Sequence, residues 1–175
     1  MGAPFGEIGP ANCVWNDVDL GDNHSVTIRH SEDTAEHKTA QNGTSPKDEI
    51  FTGEATEVEI AMTGSTLAQM AQTIGIGGTL TGSQLMFQSQ LGQSMRDSAA
   101  QLIIKPIING AATVLEAKWI TFFLAYPKLD MEIVFDAETD REYKVLFKVF
   151  KVDATASGET YAVGDIWAIG YGQTS

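Results

Sequence analysis

Glu57-Val58-Glu59-Ile60-Ala61-Met62 puts Val58, Ile60 and Met62 at every second position, with Glu57, Glu59 and Ala61 between them. Successive side chains of a β-strand point to opposite faces, so this spacing predicts a strand with one face in a core and the other toward water. The same period recurs upstream, where Val26 and Ile28 alternate with Thr27 and Arg29, and downstream, where Met131, Ile133 and Phe135 alternate with Glu132, Val134 and Asp136. From about Tyr143 to Val152, Tyr143, Val145, Phe147 and Val149 share one face, and Lys144, Leu146, Lys148 and Phe150 the other. The polar stretch Ala137 to Glu142 fits a hairpin connection, and Gly158 a turn before a last strand at about Tyr161 to Gly170. The expected fold class is mainly β, built of antiparallel strands with one buried face.

One helix is signalled. Leu67, Met70, Ala71 and Ile74 fall at helical spacing, behind Ser65 or Thr66 as N-cap and before Gly75 as stop, which predicts a flanking helix over about 65–74. Gly82 to Ala100 commits to neither period and leans toward a strand followed by a short helix. Residues 31–52 are polar and charged, hold the turn pair Asn42-Gly43 and Pro46, and read as a long projecting loop. The glycine-rich start, residues 1–10, reads as an arm ordered by a neighbour. Leu146 and Phe150 on an otherwise charged face, and the two-sided apolar run Trp119 to Leu124, suggest surfaces covered by a helix or by another subunit.

The bulk numbers bound the function. A chain of 175 residues is expected to form one domain spanning 1–175, and 43% hydrophobic against 19% charged residues excludes global disorder. Eleven basic against twenty-three acidic residues give a net charge of −12, which argues against binding nucleic acid through its phosphates. No apolar run approaches the roughly 20 residues that cross a bilayer, and the start lacks a signal-peptide pattern, so folding in a cytoplasm is expected. Cys13, the single cysteine, lies beside Val14 and Trp15 and reads as a buried thiol.

Tests for chemistry give no candidate. His24, His30 and His37 are spaced by no helical metal-pair interval. Asp17, Asp19 and Asp22 lack the terminal Glu of a calcium loop, since Ile28 stands there, and suit a hairpin turn closed by Gly21. Gly75-Ile76-Gly77-Gly78-Thr79 follows a helix where a phosphate loop would precede one. No catalytic residue, cofactor site or metal site is therefore expected, and the chain is not expected to be an enzyme.

The order of these features resembles the tail tube (major tail) proteins of long-tailed bacteriophages across nearly the whole chain. The likeness is carried by Gly9-Pro10-Ala11-Asn12-Cys13-Val14-Trp15-Asn16-Asp17-Val18-Asp19-Leu20-Gly21, similar to that family's first hairpin, with Asp17-Val18 where a Gly is usual. Val26-Thr27-Ile28, then Glu32-Asp33-Thr34 and Gln41-Asn42-Gly43-Thr44-Ser45-Pro46-Lys47-Asp48-Glu49-Ile50, are similar to its long projecting loop. The strand 57–62, the helix 65–74, Arg141-Glu142-Tyr143-Lys144-Val145-Leu146-Phe147-Lys148 and Gly164-Asp165 follow in the same order.

The resemblance implies an antiparallel β-sandwich or partly closed barrel with one flanking helix, in a virion structural protein: six copies form a ring, rings stack into a tube around a tape-measure protein, and DNA passes through without specific binding. Tail terminator and tail tip proteins are the other implied partners. Candidate assembly residues are Glu32, Asp33, Thr34, Asn42, Gly43, Pro46, Asp48 and Glu49 in the loop, and Leu146 and Phe150 on the strand face. An acidic lumen would repel phosphate over about 8 Å at physiological salt. Two other readings share these residues: a hexameric ring protein of a contractile secretion system, and a small acidic β-sandwich binding a ligand through Trp15, Trp119 or Trp167.

Overall fold

The computed structural model describes residues 10–37, 48–130, 143–154 and 161–170. The strands are β1 (Ala11–Trp15), β2 (Val18–Asp19), β3 (Asp22–His37), β4 (Asp48–Gly64), β5 (Gly78–Thr81), β6 (Gln84–Phe87), β7 (Ala100–Ile108), β8 (Ala111–Ala112), β9 (Ile120–Asp130), β10 (Tyr143–Phe150) and β11 (Trp167–Ile169). One α-helix, α1 (Leu67–Thr73), interrupts them. Nine strands make one antiparallel sheet in the order β2-β1-β7-β9-β10-β4-β3, with β8 added to β7 and β11 to β9, and β5-β6 forms a separate hairpin.

The sheet curls around one core because alternating positions on each strand are apolar. Val58, Ile60 and Met62 of β4 meet Tyr143, Val145 and Phe147 of β10 in register, and both sets are buried with Leu102 and Ile104 of β7 and Cys13 and Trp15 of β1. Fully burying side chains of this size contributes about 1.5–3 kcal/mol each. Trp15 keeps its indole N–H satisfied by donating to the Ala125 carbonyl at 2.8 Å, and its ring stands edge-on to Tyr126. Curling brings the start of β3 back to β1, where Asn23 Nδ2 donates to the Ala11 carbonyl at 2.7 Å. No β1–β3 ladder forms, so within one chain the sheet is a sandwich that does not close into a barrel.

The connections follow local chemistry. Asn16 and Asp17, at φ 50° and 62°, make the two-residue turn between β1 and β2. The first turn therefore sits here and not at Gly21, which instead links β2 to β3 at φ 95°. Asp19 serves that link, accepting from the Gly21 N–H and from Asn12 Nδ2. Thr66 caps α1 in a capping box with Gln69, and Ala71 and Ile74 are buried beneath the helix while Leu67 in its first turn stays exposed. Gly75, at φ 68°, ends the helix hard against Tyr126: a Cβ there would lie 2.5 Å from the phenol oxygen. That oxygen accepts from the Ile76 N–H and donates to Gln90 Oε1, and Gln90 Nε2 donates to the Ile74 carbonyl, so helix, hairpin and β9 are tied together.

Several expectations need correction. Residues 31–37 and 48–52 are strand, not loop, because the two polar segments satisfy each other's backbone groups and need no core to do so. The leaning toward a strand and then a helix after Gly82 holds for β6 alone, since residues 88–99 are turns and extended chain. The last strand is only Trp167–Ile169, because residues 161–166 fold as a turn in which Asp165 accepts from the Ala162 N–H and its carbonyl from the Val152 N–H. The run Trp119 to Leu124 is covered from within the chain: Phe122 packs on Trp167, and Phe123 on Tyr161. The alternation Met131 to Asp136, the connection 137–142, Gly158 and the arm up to Gly9 lie outside the described residues.

Two features of the core give measurable outcomes. The Tyr143 hydroxyl is buried with no hydrogen-bond partner among the described residues. Removing such an orphan returns its desolvation cost, so Tyr143→Phe should raise stability by about 1 kcal/mol, read as a higher urea midpoint at unchanged slope. Burial, and secondarily the Asp19 carboxylate, pushes the Cys13 thiol up to about 12 from 9.0. The folded state then holds its proton more tightly than the unfolded chain, so this contribution is intact below pH 9 and is lost as pH rises toward 12. Denaturation curves across that range should show the fall in wild type and a shallower one in Cys13→Ala.

Candidate functional site

The largest departure from a closed domain is where β3 and β4 outrun their neighbours. β10 accompanies β4 only as far as the Val149–Thr56 pair, whereas β3 stays paired to β4 out to His37 opposite Asp48. Beyond Thr56 the two strands form a free-standing ribbon, with every described residue exposed. His30 ties its base down: Nδ1 lies 2.8 Å from Thr56 Oγ1, and the ring stands edge-on to Trp167. The ladder slips between Asp33 and Thr34, where Thr52 is an extra residue on β4. A bulge of this kind changes which face the following side chains take.

The sequence-derived assembly residues divide accordingly. Glu32, Asp33, Thr34, Asp48 and Glu49 all sit on the ribbon and all are exposed, and Thr34 donates its hydroxyl hydrogen bond to Glu49. Asn42, Gly43 and Pro46 lie outside the described residues. Glu36 and Glu54 add to the carboxylates, and the ribbon's described residues include no Lys or Arg. Leu146 and Phe150 are half-buried, on a face crossed by ion pairs. There Glu59 bridges Arg29 at 3.3 Å and Lys144 at 3.5 Å, and Glu57 pairs with Lys148. The Lys148 ammonium, hydrogen-bonded to Glu57, holds that carboxyl below its usual range. Lys148 is 41% exposed, so solvent screens part of this, and the pairs order the face more than they stabilise it.

Two elements escaped the sequence reading. Among the described residues the outer edge of β3 ends the sheet, with only Asn23 near its start reaching β1 and no second strand paired along it. At the fork between ribbon and β10 lies an open groove of about 640 Å³ lined by Phe51, Val149, Phe150 and Ile166, with Glu54 and Lys151 beside them. Phe51 is 71% exposed there. The apolar pair Ile50-Phe51 inside an acidic stretch was the available signal.

The described residues of the site form no catalytic constellation. His24, His30 and His37 are spread along β3 without converging, and among the described residues no group of three or more His, Cys, Asp or Glu could hold a metal ion. Trp15 is core, Trp119 is half-buried and donates to the Thr113 carbonyl under Lys105, and Trp167 is exposed. No described helix is long and apolar enough to cross a membrane. What the site presents is backbone edge, apolar groove and carboxylates.

No protein-family model matches the chain, and no curated protein matches it by sequence. Solved structures do share the fold. A chain in the sheath/tube terminator of an extracellular contractile injection system, PVC, in its extended state is 15% identical, at a TM-score of 0.52 over 83% of this chain and 92% of that one. A chain in the tube-terminating cap of the anti-feeding prophage, AFP, is 12% identical, at a TM-score of 0.50 over 85% of this chain and 88% of that one. At such identity the likeness is one of fold.

Because Phe51 packs against so little, Phe51→Ser should leave the isolated chain's stability within about 0.5 kcal/mol of wild type, measured by urea unfolding at low protein concentration.

Proposed function

We propose that this chain is a structural subunit without catalytic activity, which polymerises as stacked hexameric rings into the tail tube of a bacteriophage and so forms the conduit for DNA ejection. It assembles in the host cytoplasm around a tape-measure protein, ends at tail terminator and tail tip proteins, and resides in the virion tail. The observation that carries this reading is the unpaired outer edge of β3 with its projecting ribbon. A sheet edge with no partner strand among the described residues is a template for another chain, and pairing it between subunits satisfies its backbone groups. A heterologous contact of this kind closes into a ring when its rotation permits, and a second contact along the axis builds a tube. The acidic ribbon residues, with Leu146, Phe150 and the groove, are the surfaces offered to neighbours. A net charge of −12 keeps phosphate from adhering to the conduit.

A second reading has its own support: the solved structures of similar fold come from contractile injection particles, which favours a tube or tube-ending protein of such a particle. A ligand-binding sandwich has only the open groove in its favour.

Negative-stain electron microscopy of the purified chain across a concentration series, with and without a nucleating tail tip, tests the proposal. Six-fold rings or tubes with a central channel are expected, and a monomer under every condition would defeat it. Deleting residues 39–47 should leave a folded monomer that does not polymerise. Normal tubes from that variant would remove residues 39–47 from assembly.

A further inference from the structure

From Ile60 to Met95 the chain carries no Asp, Glu, Lys, Arg or His, although 19% of the whole is charged. This stretch supplies α1, the turn after it, the β5-β6 hairpin and the segment leading to β7. It holds four of the six methionines and exposes Leu67, Ile76, Leu80, Met86, Phe87 and Leu91, the last at 94%. A second uncharged stretch runs from Pro106 to Leu115 and exposes Val114 at 85% and Leu115 at 56%. The two stretches bracket β7: Leu91 precedes its first residue, Ala100, and Val114 follows its last, Ile108.

We infer that the uncharged flank of α1, β5 and β6 is a docking face for a second copy of this chain, which meets it head to tail through its Val114-Leu115 end. The inference rests on the self-assembly reading above and names a contact distinct from the β3 edge. Copies that each carry −12 repel, and their approach costs least where few charges must be desolvated; on this flank Lys128, beside Phe87 and Met95, is a positive charge at the margin. Interface centres are depleted of charge and enriched in Met and aromatic side chains, as this flank is with Met86 and Phe87. The apolar residues beyond the other end of β7 supply a matching surface on the same molecule, so the contact is heterologous and can repeat.

The test uses the full chain and two sites exposed enough to substitute without unfolding it, with circular dichroism as the check on folding. Sedimentation equilibrium would compare wild type, Leu91→Lys, Leu91→Glu and Val114→Lys. Each variant alone should self-associate at least about tenfold more weakly, whichever sign is introduced, because a buried charge must be desolvated. An equimolar mixture of Leu91→Lys and Val114→Lys should recover the lost association, joining copies through this contact in pairs only, since one intact pair of these surfaces remains between them. A wild type that stays monomeric, weakening by Glu but not by Lys, or a mixture that stays monomeric would each overturn the inference. Recovered dimers from a chain that never forms tubes would uphold this contact and defeat the tube. Normal tubes from Leu91→Lys would do the reverse.

Discussion

Two side-chain hydrogen bonds from Asn23, to the Ala11 carbonyl and more weakly to the Cys13 sulfur, stand where a ladder would be needed to close the sheet. Backbone N–H and C=O groups must be paired or hydrated, and the curl that buries the core leaves those along the outer side of β3 without a strand to meet. Everything unusual about the molecule follows from that shortfall. The core is complete from β1 round to β4, yet β3 leaves it after Val26 and runs on with β4 as a ribbon that no other strand of the described chain covers.

Much of the architecture was legible because it depends on period. Val58, Ile60 and Met62 announce their strand by alternation, as do Val145 and Phe147, and both prove to be core. The cap of α1 was legible because Thr66 and Gly75 are residues whose local chemistry stops a helix. The ribbon was not. Its side chains are polar on both faces, so no apolar period marks it, and its strand character comes from the partner strand and not from burial. Nor could the sequence show that Trp119 to Leu124 is covered by Tyr161 and Trp167, because that depends on where a distant turn returns to β9.

Charge is distributed unevenly and with consequences. Carboxylates crowd the ribbon, ion pairs tile the outward face of β3, β4 and β10, and the flank from α1 to Met95 has none. Salt therefore acts differently on each region. Added salt screens the ribbon's mutual repulsion and loosens the Glu59 pairs, while an apolar flank is insensitive to screening and responds instead to conditions that change the cohesion of water.

The sheet order also sets a timetable. Val14 pairs with Ile103 and Val58 with Phe147, so the core strands find partners far along the chain, whereas Ala35 finds Ile50 across one hairpin. Distant pairings are slow to form because a long loop must first be closed, and local ones are fast. The ribbon can thus be zipped while the chain that carries β7 and β10 is still being made. An edge exposed that early is open to mispairing between nascent copies before β7 and β10 have found their places.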